Sequence, residues 1–245
     1  MKILSVSTAT DHLSVALNED QQVIVEKNER NKRNHSEHLD PLIEEILKEN
    51  KLTLNDIDRF AVAIGPGSYT GLRIGITTVK MFASILNKEV VGISTLQVLA
   101  KGVKEPALVI TGLDARNDNY FAAGYISGDI PKNVIPDGHY NIDVLIKAIQ
   151  EYAAQNKVNK IIFVGSGLEK QDEKIKTLDI QYEYGTDEKN VIHAGLIGQL
   201  AVDAAEPVDP DKLLPRYLRR TQAEVDWHKK TGKPFEPDSH YVEEV

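Results

Sequence analysis

Residues 65 to 73 read Gly-Pro-Gly-Ser-Tyr-Thr-Gly-Leu-Arg and join an apolar run, residues 60–64, to a segment with hardly any polar side. The run is bounded by turn residues and predicts a buried strand. The segment at 70–86 predicts a helix with two apolar faces. At about 100° per residue, Leu72, Ile76, Val79, Ala83 and Leu86 form one stripe, and Ile74, Thr78, Met81 and Ile85 form a second, nearly opposite. Only Arg73, Thr77, Lys80 and Ser84 share a narrow polar strip. A helix of this kind needs cover on both sides. Either it lies between layers of one domain, or a second chain covers its outer stripe. Gly71, Gly75 and Phe82 fall between the stripes. Small residues at this spacing admit another backbone, which would offset the roughly 1 kcal/mol that an interior glycine costs.

Two enzymatic readings of the glycine-rich turn fail on spacing. A phosphate-cradling loop needs Gly-Lys-Ser/Thr after four intervening residues, and here Gly71 is followed by Leu72 and Arg73. A nucleophile elbow needs glycine two positions either side of its serine, whereas Ser68 has Pro66 and Thr70 there.

The strand and helix pattern extends in both directions. Short β-prone runs at 2–7, 13–17 and 23–27, separated by turn residues, predict an antiparallel meander. Leu39, Leu42, Ile43, Ile46 and Leu47 repeat at helical spacing and predict a helix over 36–50, with Asn34 and Glu37 as a capping box and Pro41 as a kink. A strand at 89–93 and a helix at 95–101 follow. The order βββαβαβα predicts a mixed sheet covered by helices, the order of the ribonuclease-H-like fold and of each lobe of actin-like ATPases. Runs at 107–113 and 120–126 repeat the opening strand, turn and strand, and a helix at 142–154 and a strand at 160–164 follow. The expected fold is therefore α/β, with two ribonuclease-H-like (actin-like ATPase) lobes, each a mixed sheet with flanking helices. Its division is a first lobe at 1–104, a second and reduced lobe at 105–205 that includes a last helix at 192–204, a segment at 206–227 returning to the first lobe, and a loose tail at 228–245.

Composition narrows the chemistry. The absence of cysteine excludes disulfides, thiolate catalysis and cysteine-ligated zinc. A net charge of −8 opposes unaided binding to nucleic acid. No apolar run approaches the roughly 20 residues of a membrane span, and the opening Met1-Lys2-Ile3-Leu4-Ser5 lacks a signal-peptide layout. A cytoplasmic protein without membrane contact is expected.

Other residues carry weaker chemistry. His35 and His38 are three apart, as a helical metal pair can be, but lack a full ligand set, so no metal site is expected. Ser7, Thr8 and Thr10 end the first strand, where an actin-like ATPase keeps a phosphate loop that begins with aspartate. Serine cannot hold a cation as a carboxylate does, and a plain hairpin turn also fits. Gly165 and Gly167 follow a strand, as the adenosine-side glycines of such ATPases do. These five residues define a candidate vestigial nucleotide site. Lys212, Arg216, Arg219 and Arg220 surround Tyr217, which suits either a phosphate backbone or an acidic partner.

Taken together these residues resemble the TsaB family of tRNA threonylcarbamoyladenosine biosynthesis. The stretch from Ala63 to Gly75 carries the resemblance. The opening 3–10, His35-Ser36-Glu37, Leu113-Asp114-Ala115-Arg116, 215–219 and Ala223-Glu224 add to it. The resemblance implies a pseudoenzyme with no catalytic residue and no tightly bound cofactor. It would act as a scaffold for the catalytic subunit TsaD and the ATPase TsaE, with ATP used by the complex and tRNA met only through it. TsaD, or a second copy of the chain when alone, would dock on the first-lobe helices through Leu39, Pro41, Ile43, Gly71, Ile74, Gly75, Thr78, Met81, Phe82 and Ile85. The competing readings are a metal-dependent peptidase and an ATP-dependent kinase of the actin-like fold.

Overall fold

A computed structural model of the protein describes residues 1–30, 34–203, 206–219, 227 and 230–232. Three strands, β1 (Lys2–Ser7), β2 (His12–Glu19) and β3 (Gln22–Arg30), form the antiparallel meander. Then come α1 (His35–Glu49), β4 (Arg59–Gly65), α2 (Tyr69–Leu86), β5 (Glu89–Ser94) and α3 (Thr95–Lys101). Strand β4 lies parallel to β1, and β5 lies parallel to β4. The strand order of the first sheet is therefore β3-β2-β1-β4-β5. Parallel strands buried on both faces read as continuous apolar runs, and Phe60 to Ala63 of β4 is such a run.

The second half consists of β6 (Leu108–Asp114), β7 (Asn119–Ile126), β8 (Lys132–Asn141), α4 (Ile142–Asn156), β9 (Lys160–Gly165), α5 (Asp172–Ile175), β10 (Gln181–Tyr184) and α6 (Ala194–Asp203). Its sheet order, β8-β7-β6-β9-β10, repeats the first: three antiparallel strands, then two parallel ones. The fold is α/β with two ribonuclease-H-like lobes, as the element order predicts.

Three local readings need correction. The second sheet has five strands like the first, and what the second lobe has less of is helix, with only α4 and the four-residue α5 among the described residues. Strand β8 escapes a sequence reading because it contains Pro136-Asp137-Gly138, which reads as a turn. Irregular register against β7 between Ala122 and Tyr125 accommodates it. Helix α6, expected within the second lobe, packs on the first sheet. Its Ile197, Leu200 and Ala201 join the first core, the Ser14 hydroxyl accepts the Ala194 N–H at 2.8 Å, and Asn18 Nδ2 donates to the Gly195 carbonyl at 3.0 Å. Side chains alternate across a strand. Val6 and Val62 face Gly75 of α2, so Ser14 and Asn18, cross-strand from Ser7 and Ile3, put α6 on the opposite face. The capping box is also absent. Asn34 Nδ2 donates to Glu37 Oε2 at 3.1 Å, and no side-chain bond caps the backbone.

Residues 206–219 run along the first lobe as a strap. The Val208 N–H donates to the Val90 carbonyl at 2.9 Å, Leu213 is buried in the first core, and the Arg216 N–H donates to the Ile64 carbonyl at 2.7 Å. Arg220, Ala223, Glu224 and nearly all of the tail at 228–245 lie outside the described residues.

Candidate functional site

Helix α2 begins where the Ser68 hydroxyl accepts the Gly71 N–H at 3.2 Å, and it ends at Asn87 in the left-handed conformation. Leu72, Ile76, Val79 and Ala83 are buried in the first core. On the other stripe Met81 is 47% and Ile85 74% exposed, while Ile74 and Thr78 are half-buried. Phe82, also half-buried, lies at the edge of this face against Phe60, with ring centroids 5.7 Å apart. The outer stripe is thus open along its C-terminal half. Beside it runs an apolar groove of about 660 Å³ between α1 and Phe82, lined in part by Ile43, Leu47 and Leu54.

Four of the residues expected at the partner surface face inward instead. Leu39 and Ile43 are buried in the protein's own core, because their α1 stripe packs on the first sheet and leaves Pro41 outside; Ile43 reaches the surface only at the floor of the groove. Gly71 and Gly75 do admit a close neighbour, but it belongs to the same chain. A Cβ at Gly71 would overlap the Thr8 carbonyl oxygen, and one at Gly75 would lie 2.5 Å from Thr8 Oγ1. The outward set is exposed Met81 and Ile85 with half-buried Ile74, Thr78 and Phe82, and Pro41 is exposed on α1.

The ends of β1, β6 and β9 meet at a cleft between the lobes. It holds two adjoining cavities of about 510 and 670 Å³, which share Thr10, Asp11, Leu113, Asp114 and Ser166. Of the candidate nucleotide residues, Thr10 lines both cavities and Gly165 and Gly167 line the larger. Ser7 and Thr8 are fully buried and line neither. Thr8 Oγ1 instead donates to the Gly71 carbonyl at 2.7 Å, and the Ser68 N–H donates to the Ala9 carbonyl at 2.7 Å, so the glycine-rich turn sits directly on the 8–10 loop. The two glycines fit their own chain closely. Gly165 has φ +113°, and a Cβ there would overlap the Gly112 carbonyl; its N–H donates to Asn190 Oδ1 at 2.8 Å. Gly167 lies against Asp114. The Arg116 N–H, with Lys170 Nζ at 3.0 Å, holds the Asp114 carboxyl below the usual carboxylate range. The groups that would meet a nucleotide are largely bonded to one another.

The two histidines part company. His35 Nε2 bonds the Thr10 carbonyl at 2.8 Å, and His38 pairs with Glu29 at 2.9 Å. Among the described residues no three of His, Cys, Asp and Glu cluster as a metal would require.

Sequence reasoning missed a buried carboxylate at the seam. Asp137 of β8, its side chain 4% exposed, accepts hydrogen bonds from Ser94 Oγ at 2.5 Å, Tyr125 OH at 2.6 Å and Arg216 Nη1 at 2.8 Å. Burial, then the Asp137 charge, push the Tyr125 hydroxyl well above its usual range. Nearby, the Tyr217 ring stacks on Tyr69 with centroids 5.0 Å apart, and the Arg73 guanidinium lies 4.3 Å over Tyr69. No signal marks Asp137 in the sequence, whereas Tyr217 stands among the basic residues already singled out.

The family described as TsaD, tRNA N6-adenosine threonylcarbamoyltransferase, matches residues 23–227. The tRNA threonylcarbamoyladenosine biosynthesis protein TsaB of Escherichia coli is 30% identical, over 95% of this chain and 100% of its own length. The Bacillus subtilis protein of the same name is 28% identical, over 93% and 98%. A Pseudomonas aeruginosa crystal structure, described as an uncharacterized protein with similarity to peptidase YEAZ, superposes with a TM-score of 0.72 at 24% identity, covering 89% of this chain and 99% of that one.

Proposed function

The chain belongs to the TsaB family, within the wider family of TsaD, and has a role in tRNA threonylcarbamoyladenosine biosynthesis; from that premise we propose that it serves as a non-catalytic scaffold. In this reading it docks on the catalytic subunit TsaD and, with it, the ATPase TsaE. It meets tRNA through the complex, in the cytoplasm, and pairs with a second copy of itself when alone.

The observation that carries the reading is the open stripe of α2, with Met81 and Ile85 exposed beside half-buried Ile74. Contiguous apolar surface of this kind marks an association site. A specific interface removes roughly 1,200–2,000 Å² from water in total, and the stripe and the α1 groove would form its apolar centre. The non-catalytic half of the reading draws support from the cleft. Ser7 is buried where a carboxylate would be needed, and Thr8, Asp114 and Gly165 are bonded within the chain.

The test is co-elution of the purified chain with TsaD on a sizing column. Ile74→Glu should abolish it while leaving the circular dichroism spectrum unchanged. Retained co-elution would overturn the docking assignment. Calorimetry with ATP and magnesium tests the second half, and tight binding with turnover by the isolated chain would overturn it.

A further inference from the structure

We propose that Asp137 is the clasp of the 206–219 strap and that the clasp couples the seam between the lobes to the docking face of α2; the second part rests on the docking reading above. A carboxylate buried this deeply is stable only where its lone pairs are satisfied. Here three separate parts of the chain satisfy them. Oδ2 takes Ser94, at the end of β5 in the first lobe, and Arg216 of the strap. Oδ1 takes Tyr125 of β7, in the second lobe, with Asn133 at 3.3 Å. Removing the carboxylate leaves all of them short of a partner at once.

From the clasp the strap reaches α2 at two points. Arg73 Nε donates to the Tyr217 hydroxyl at 2.9 Å, and Lys80 Nζ donates to the Asp211 carbonyl at 3.2 Å. Arg73 and Lys80 belong to the polar strip of α2, which lies beside Ile74, Met81 and Ile85 at about 100° per residue. The strap therefore engages the long cationic side chains next to the docking stripe. With the clasp open, Arg73 keeps only its stacking on Tyr69, Lys80 loses its partner on the strap, and the rim of the docking stripe is no longer fixed. A partner that packs on the stripe in the clasped arrangement must then restore it from its own binding energy.

Hydrogen exchange of the full chain tests the clasp, and titration with TsaD tests the coupling. Hydrogen bonds to a charged group weigh enough that losing one shifts a local opening equilibrium about tenfold. In Asp137→Ala, the Val208 and Arg216 amides, which donate to the Val90 and Ile64 carbonyls, should exchange at least about tenfold faster, with β1 and β6 amides unchanged. The Kd for TsaD should rise at least about threefold. Arg216→Ala removes only the strap's own side-chain bond to Asp137 and leaves the Ser94 and Tyr125 bonds in place, so it carries the same expectation if Asp137→Ala fails to fold. Unchanged exchange at Val208 and Arg216 overturns the clasp, whatever TsaD does. Faster exchange with an unchanged Kd overturns the coupling alone. Failure of the docking reading shows separately, as intact TsaD binding by Ile74→Glu.

Discussion

Gly71→Ala should destabilise this protein although alanine is the better helix former. Propensity alone favours alanine by about 1 kcal/mol in a helix interior. Against it stands the Thr8 carbonyl oxygen, which a Cβ at residue 71 would overlap, with Ser68 Cβ and Oγ at 3.1 and 3.2 Å on another side. The clash is with backbone, so no rotamer relieves it; α2 must move off the 8–10 loop. Overpacking of this kind costs about 1–3 kcal/mol. The movement also strains the bond from buried Thr8 Oγ1 to the Gly71 carbonyl, worth about 1 kcal/mol. The net loss is about 1–3 kcal/mol, which at about 2–4 °C per kcal/mol for a chain of this size lowers Tm by roughly 2–12 °C. Gly75→Ala meets a different neighbour, Thr8 Oγ1 at 2.5 Å. Adding Thr8→Ala should therefore relieve Gly75→Ala but not Gly71→Ala, a difference that thermal unfolding of the two double-mutant cycles resolves. A raised Tm for Gly71→Ala would refute the argument, as would equal relief of both by Thr8→Ala.

Ile85→Glu, at an exposed position, should leave stability within about 0.5 kcal/mol in urea unfolding while weakening association with TsaD on the sizing column. A second prediction concerns pH. The hydrogen bond that His193 Nδ1 donates to Glu26, at 2.6 Å, raises the His193 imidazole above its ordinary value. Burial pushes Glu26 up, but bonds from His193, Asn28 and the Gly195 N–H outweigh it and hold the carboxyl low. The His193 contribution is complete below pH 6.5, its ordinary value, and is lost as pH rises through the raised one. The Glu26 contribution is present above pH 4.5 and is lost as pH falls through its lowered value. Stability from the pair should peak between pH 4.5 and 6.5, and His193→Gln should flatten the alkaline slope of Tm against pH. Lys176, Tyr182 and Tyr184 hold Asp172 down to about 2 from an ordinary 3.8, so the tie it makes to β10 is present above pH 3.8 and lost as pH falls through about 2. The protection factors of the β10 amides, taken against the intrinsic exchange rate at each pH, should fall as pH drops through that window in the native chain and show no such step in Asp172→Asn.

The fold was legible wherever hydrophobic period and turn chemistry agreed, as in the β1–β3 meander, α1, α2 and β4. It was illegible where tertiary contacts overrode them. Strand β8 is built around Pro136 and Gly138, which local propensity assigns to a turn. Helix α6 is apolar enough to predict, but its sheet cannot be known until the small face of β2, with Ser14 and Asn18, is seen to lack another cover. Periodicity located the two stripes of α2 correctly, because angle around a helix follows from residue number alone. It misdirected Gly71 and Gly75, since a small residue shows that something approaches closely and not whether that neighbour is another chain. The candidate nucleotide residues illustrate the same limit. Position at a strand end could be read for Ser7, Thr8 and Gly165, but the bonds that occupy Thr8 and Gly165 come from Gly71 and Asn190, far away in sequence.

The crossing of α6 back to the first sheet has a consequence for how the molecule is made. On the side opposite α2 only α3 covers the opening sheet, over β4 and β5, while the ribosome adds everything up to residue 193, and β1 to β3 are covered there only when Ala194–Asp203 emerges. A nascent chain halted before that helix would display Ser14 and Asn18 unsatisfied and the apolar rows beside them uncovered. The first lobe therefore completes late, because residues 1–104 alone do not encode its whole core.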